Sequence, residues 1–269
     1  MNIEKDWFRP GADKYFFGEF YREGDNSNEG YLPNHKLSLE ERTTREVNGI
    51  KELLDLKKDM FILDAPCGYG RHSLQLINDD YENIYGIDLN EKYIEGIKKN
   101  VRQDNNFKVC ELNAIDFPDN YFDVVINMFY SFGFYEKDED NMRVLKEIYR
   151  VLKPSGKFLM HTDVNIPYIK KHPEYLMSNR ILPNNKKLNI YEIYNEETKR
   201  IDGYWEILTK SNIEKNYYSM RVYNKKEFLE NCKSVGFKNM KYYSDFNKNL
   251  QYSEDKPEMI IICSKDNHE

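Results

Sequence analysis

From residue 60 onward, short apolar runs alternate with segments whose apolar residues recur every three or four positions. The runs "MFILDA", "NIYGIDL", "FKVCEL", "FDVVINM" and "KFLMHTDV" predict five short buried strands. Between them, "GRHSLQLIN" starts a helix and "NEKYIEGIKKN" is a helix opened by Asn90. The segment "KDEDNMRVLKEIYRVLK" is strongly amphipathic and is ended by "PSG" at Pro154 to Gly156. Upstream, "SLEERTTREVNGIKELLDL" reads as a further helix. Ser38 and Glu41 form its capping box, and Val47, Ile50, Leu53 and Leu54 form its apolar stripe. Strands that alternate with helices are joined by crossovers and run parallel, so the fold class is α/β, a three-layer Rossmann-like sheet.

The alternation breaks after residue 165. The runs "KLNIYEIYNE", "RIDGYWEILTK" and "IEKNYYSMRVY" predict three antiparallel strands inserted into the sheet order. Helical spacing returns in "NKKEFLENCKSVGF", with Gly236 as its C-cap, and "KNMKYYSDF" and "KPEMIIICSK" close the sheet. At the start of the chain, "DKYFFGEFYREG" is aromatic with helical spacing and "GDNSNEGYLPNH" reads as a loop. The organisation that follows is a single folding domain in four parts. Residues 1–37 form a cap or lid, 38–165 a core, 166–222 the inserted strands around an acceptor pocket, and 223–269 the closing helix and strands.

Composition narrows the function. A net charge of −6, with lysines interleaved among acids, gives no electrostatic pull toward nucleic acid. No apolar run approaches the ~20 residues that cross a bilayer, and "MNIEKDWFRPGADKYFF" lacks a secretory pattern, so the expectation is a cytoplasmic protein without a membrane partner. The four cysteines lie far apart with no CxxC pair, which points to buried thiols and no metal site. The 22 tyrosines and 15 phenylalanines are a heavy aromatic load; most of it could be core, but some fall where a pocket would need walls.

The stretch "LDAPCGYGRHS" carries the candidate chemistry. It admits three readings: a nucleotide-binding turn, a site built on Cys67, or an ordinary strand-to-helix corner. Two glycines one residue apart, between a strand and a helix, let a ligand approach backbone N–H groups. Asp64 precedes the first glycine by four residues, and Asp88 ends the second strand 18 residues past Gly70, where a ribose diol is held. The third glycine of a dinucleotide fingerprint is missing after Gly68 and Gly70, which counts against an NAD-dependent oxidoreductase. A cationic amine and a ribose suit this pattern better than a pyrophosphate does.

With "IYGIDLNEKYIEGIKKN" and the later "SFGFYEKDEDNMRVLKEIYRVLKPSGKFLM", this stretch resembles the class I S-adenosylmethionine-dependent methyltransferases. It is similar in particular to a small-molecule and natural-product subgroup with a "CGYGRH" loop. The resemblance is strongest over residues 38–165 and extends to the tail. It implies a seven-stranded sheet whose last strand is antiparallel, with S-adenosylmethionine bound across the strand ends and S-adenosylhomocysteine as product. It implies that Asp64 and the Gly68–Gly70 turn hold the methionine part, with Ala65, Cys67 and Arg71 also expected at the cofactor. Asp88 would bind the ribose and Leu89 would line the adenine. Asn113, with Ala114, would stand where the family usually has an acid, and Asn127 and Met128 would sit under the sulfonium.

Each assignment competes with a structural one. Cys67 lacks a partner base and reads as packing; His72 reads as structural; Arg42 and Arg45 rival Arg71 for the methionine carboxylate. His161 and Asp163, at the end of the fifth strand, are the catalytic candidates, as general base or as anchor of a cationic acceptor. Tyr15 is a third, within an aromatic lid of Tyr15, Phe16, Phe20 and Tyr21, while Trp205, Tyr218 and Arg221 are candidate pocket walls. The expected reaction is methyl transfer to a small molecule or modified peptide, at nitrogen in preference to oxygen. A silent cofactor-binding module is the competing non-catalytic reading.

Overall fold

The computed structural model describes residues 3–26, 37–129, 131–182 and 185–266. Its main sheet has seven strands: β1 (Phe61–Asp64), β2 (Asn83–Asp88), β3 (Phe107–Val109), β4 (Phe122–Asn127), β5 (Leu152–Thr162), β10 (Lys238–Tyr243) and β11 (Met259–Ser264). The spatial order is β10-β11-β5-β4-β1-β2-β3, and β11 alone runs antiparallel to its neighbours. This is the seven-stranded sheet, with its last strand reversed, that the sequence pattern and the resemblance anticipated.

Strand alternation sorts the core into two layers. Ile62, Val124 and Leu159 pack toward α2 (Leu39–Leu54), α3 (Arg71–Asn78) and α4 (Glu91–Lys98). Their neighbours Leu63, Val125 and Phe158 face α5 (Asp138–Val151) and α7 (Lys225–Val235) on the other side. Each such burial contributes about 1.5–3 kcal/mol, so a strand slipped by one residue would forfeit both layers at once. The caps behave as read. Ser38 and Glu41 close a capping box on α2, Asn90 accepts from the Tyr93 amide, and Gly236 ends α7 in the left-handed region.

The strand order reverses between β1 and β4: β2 and β3 continue to one side, β5 to the other. Connections therefore leave the carboxyl ends of β1 and β4 in opposite directions and open a crevice between them, the place where such sheets bind ligands.

Three boundaries differ from expectation. Strand β3 stops at Val109, so "CEL" belongs to the turn that follows. Helix α5 ends at Val151, and Pro154–Gly156 lie inside β5, where the register against β4 jumps between Phe122 and Val124. A bulge absorbs those residues, with Ser155 at positive φ, so "PSG" interrupts a strand and does not stop the helix. The inserted sheet has four strands: β6 (Met177–Ile181), β7 (Lys187–Asn195), β8 (Arg200–Leu208) and β9 (Ile213–Arg221), in sequence order. Strand β6 escaped notice because it is a short edge strand whose sequence, "MSNRI", buries only Arg180.

The N-terminal aromatic stretch is mostly turns, leading into a short helix α1 (Glu19–Asp25) that takes in Gly24 and Asp25, residues read as loop. The rest of that loop, from residue 27, lies outside the described residues. The segment is buttressed from the inserted sheet and from the start of α4. Trp7 donates its indole N–H to the Ser219 carbonyl at 3.1 Å, Asn90 donates to the Phe17 carbonyl, and Tyr93 donates to the Gly18 carbonyl. Short α6 (Ile166–Lys171) links β5 to the insertion. Among the described residues no helix is long and apolar enough to cross a membrane.

Candidate active site

The glycine corner between β1 and α3 forms one end of a cavity of about 980 Å³, counting its mouth. The two glycines are needed for different reasons. Gly68 has φ +54°, and a Cβ there would meet nothing within 4 Å, so the backbone faces open cavity. Gly70 has φ +88° and caps α3; a Cβ there would lie 2.6 Å from Ile97 Cγ1, so this glycine lets α4 pack close.

Asp88 ends β2 at the cavity wall. Its Oδ2 accepts from the Gly68 amide at 2.9 Å and its Oδ1 from the Asn90 amide at 2.8 Å. Burial pushes its carboxyl up to about 6 against the pull of those amides. The carboxylate thus fixes the glycine turn, and each oxygen keeps acceptor capacity for a diol. Leu89, Cys110 and Leu112 continue the wall and give a flat ring an apolar slot.

Beneath the turn lie two buried acceptors with no donor among the described residues: Asp64 Oδ1 and Asn127 Oδ1. Asp64 Oδ2 accepts from Ser73 Oγ at 2.7 Å, and burial pushes that carboxyl up to about 7. Asn127 spends its Nδ2 on the carbonyls of Ala65 (2.8 Å) and Ser131 (3.0 Å). Unsatisfied buried acceptors cost stability until a donor arrives. A donor-only group such as an ammonium suits them, and the orphaned pair therefore fits the amino group of a bound methionine moiety.

Arg71 lines the cavity with its charge committed. It pairs with Glu46, donates to Thr43 Oγ1 at 3.2 Å, and lies 4.6 Å above the Phe129 ring. Burial alone would raise Glu46, but Arg71 and His72 outweigh it and hold its carboxyl at about 2. Burial keeps His72 down at about 4, so it is a neutral ring donating Nε2–H to Glu46. Arg42 and Arg45 point elsewhere: Arg42 pairs with Asp25, and Arg45 with Asp245 and Glu258.

Of the twelve residues expected at the cofactor, the cavity wall contains Cys67, Gly68, Arg71, Asp88, Leu89 and Met128. Asp64, Ala65, Gly70 and Asn127 support it from behind. Asn113 and Ala114 lie outside the wall; because β3 ends early, Cys110 and Leu112 take their place. Cys67 is buried, and burial drives its thiol pKa up, as befits a packing residue. The wall also includes Tyr69, Tyr93, Phe129 and the run from Ser131 to Tyr135, which received no role beforehand although "SFGFY" was visible as a motif.

A second cavity, of about 790 Å³ counting its mouth, adjoins the first and shares Phe17, Tyr21, Phe129 and Phe134 with it. The inserted sheet supplies Arg180, Ile190, Glu192, Trp205 and Tyr218, and Asp163 enters from the end of β5. The three catalytic candidates separate here. Asp163 faces the second cavity. Tyr15 lines the first, where the nearby Asp88 charge and above all burial raise its phenol pKa. His161 is fully buried and lines neither: its Nδ1 accepts from the Phe129 amide at 3.4 Å, and its Nε2 lies 3.5 Å from Glu258. It holds Phe129, which sits at φ +54°, a strained conformation for a bulky residue, at the boundary of the two cavities. Arg221 pairs with Glu227 and Asp138 and forms no wall, whereas Trp205 and Tyr218 do.

Residues 63–160 match the family described as "Methyltransferase domain". Among curated relatives, the 27-O-demethylrifamycin SV methyltransferase of Amycolatopsis mediterranei is 26% identical over 149 residues, 54% of this chain and 53% of the relative. The chain spans about half the length of the curated relatives it matches. Among solved structures, the CcbJ methyltransferase from Streptomyces caelestis aligns with a TM-score of 0.70 at 13% identity, covering 81% of this chain and 94% of that one. The SAM-bound CalS10, an amino pentose methyltransferase from Micromonospora echinaspora, aligns with a TM-score of 0.60 at 12% identity, covering 82% and 90%. At such identities the structural likeness is one of fold.

Proposed function

We propose that this chain is a class I S-adenosylmethionine-dependent methyltransferase, a reading that the match of residues 63–160 to a methyltransferase domain supports, and that it methylates a small-molecule or modified-peptide acceptor, at nitrogen in preference to oxygen. The observation that carries this reading is the pair of adjoining cavities. One is lined by the glycine turn and Asp88, with the orphaned acceptors buried behind its wall; the other is lined by carboxylates; aromatic rings are common to both. S-adenosylmethionine, when bound, supplies a methyl group activated by its sulfonium. The protein's own work is alignment and exclusion of water, which can account for much of the rate of such a displacement.

In this reading Asp88 receives the ribose hydroxyls, Leu89 and Leu112 flank the adenine, and Asp64 and Asn127 face the amino group. The inserted strands wall the acceptor pocket, and the N-terminal segment closes over both. Asp163 meets the acceptor. His161 is a positioning residue that acts through Phe129, and Tyr15 acts at the Asp88 end of the cavity. CalS10, an amino pentose methyltransferase, offers a precedent for an amine-bearing acceptor on this fold. Calorimetric titration with S-adenosylhomocysteine and, separately, with NADH tests the cofactor assignment. Binding of the former and not the latter is expected; the reverse would replace methyl transfer with hydride transfer.

A further inference from the structure

The second cavity combines an apolar body with a charged end. Trp7, Phe16, Trp205, Tyr218 and Ile190 wall most of it. Two carboxylates, Asp163 and Glu192, and one guanidinium, Arg180, also line it, so its ionised lining carries one net negative charge. Charge enclosed among aromatic rings is costly unless a counter-charge reaches it. Tyr218 donates its phenol to Glu192, and Tyr175 donates to the Asp163 backbone carbonyl at 3.1 Å. No side chain among the described residues hydrogen-bonds or ion-pairs with the Asp163 carboxylate itself.

We infer that this cavity is an amine-recognition chamber: it takes a compact aromatic or apolar molecule whose ammonium group is held by Asp163 and Glu192, one of which accepts the ammonium proton so that the freed nitrogen lone pair attacks the methyl group as its bond to sulfur breaks and S-adenosylhomocysteine leaves. The inference rests on the acceptor assignment above and deepens it by naming the acceptor's chemistry. Donor-only ammonium protons match two acceptor-only carboxylates, and the surrounding tryptophan and tyrosine faces favour a cation as well. A carboxylate-bearing acceptor would meet two like charges for its one attraction to Arg180. A neutral alcohol would leave the carboxylates uncompensated.

The test uses three probes of nearly equal size: 2-phenylethylamine, 2-phenylethanol and 3-phenylpropanoate. Each is titrated calorimetrically into the full chain, with and without saturating S-adenosylhomocysteine. The expected result is at least tenfold tighter binding of the amine than of the alcohol, the order expected of one charge-assisted hydrogen bond. Asp163→Asn should bring the two within threefold while leaving S-adenosylhomocysteine affinity unchanged, and Glu192→Gln should act in the same direction. Equal affinities, a preference for the alcohol or the acid, or binding of none of the three overturns the proposal. Should either variant lose its thermal unfolding transition, the wild-type preference among the three probes still decides. Loss of S-adenosylhomocysteine binding with the amine preference intact would instead overturn the cofactor reading and leave the chamber standing.

Discussion

Replacing Asp88 tests the proposed ribose contact most sharply. Its two oxygens already accept from the Gly68 and Asn90 amides, and each retains one lone pair toward the cavity. Two ribose hydroxyls bonded to an ionised carboxylate would contribute about 1.5–3 kcal/mol each, so Asp88→Ala should weaken S-adenosylhomocysteine by roughly 10²- to 10⁴-fold. Asp88→Asn should fall between the variant and the wild type. It keeps one oxygen but turns an amide N–H₂ toward one of the two backbone donors, at a stability cost of about 1–3 kcal/mol. Protonation is the same perturbation made reversibly. Burial raises the Asp88 carboxyl to about 6, so the ionised, binding-competent form is present above that pH and is lost as pH falls through it. Affinity measured by calorimetry between pH 8 and pH 5 should therefore drop on the acid side, and in Asp88→Asn that drop should shrink. Asp88→Ala that melts cooperatively and still binds within threefold of wild type would refute the assignment.

Further outcomes follow from neighbouring contacts. Gly68→Ala should fold, at a cost of about 1–2 kcal/mol for a left-handed alanine, but lose cofactor affinity because its methyl enters the cavity. Gly70→Ala should lose more stability than Gly68→Ala, because its methyl adds a clash with Ile97; chemical denaturation ranks the two. Glu46→Ala leaves Arg71, whose side chain is only 11% exposed, without its ion-pair partner, at a cost of about 3–5 kcal/mol by urea unfolding. With its carboxyl held at about 2 against an ordinary 4.5, Glu46 contributes stability above pH 4.5 that disappears as pH falls toward 2, and the gap between wild type and Glu46→Gln should close over that range. In the second cavity, burial lifts Glu192 to about 7 despite the Tyr218 hydrogen bond, with Asp163 adding to the rise and Arg180 opposing it. Affinity for 2-phenylethylamine should accordingly increase as pH rises through 7, and in Glu192→Gln that increase should vanish.

The elements most legible in the sequence are those whose stability is local or strongly periodic. The capping box at Ser38, the Asn90 cap, the Gly236 terminus and the alternating strands β1, β2 and β4 all appear where apolar spacing and cap chemistry put them. The position of Asp88 at the cavity wall was legible because a strand end is a fixed address in this sheet order. What escaped depends on tertiary context. Strand β6 is recruited by its neighbour β7 and carries almost no apolar pattern of its own. The absorption of "PSG" into β5 is set by pairing with β4 and β11. Glu192 sits on a strand whose alternation is irregular, and only the meeting of β7 with the end of β5 brings it to the same cavity as Asp163. His161 and Asp163 share strand parity, but the chain leaves β5 at Thr162, so one stays under Phe129 and the other reaches the second cavity.

The central claim is methyl transfer, and following the methyl group tests it most directly. The purified chain is incubated with methyl-labelled S-adenosylmethionine and a fractionated extract of its own cells, and the label is traced by mass spectrometry. The expected result is label on an amine nitrogen in the low-mass or peptide fraction, absent when Asp88→Ala replaces the wild type. Label in nucleic acid or large protein, or no transfer to any fraction by a chain that binds the cofactor, would contradict it.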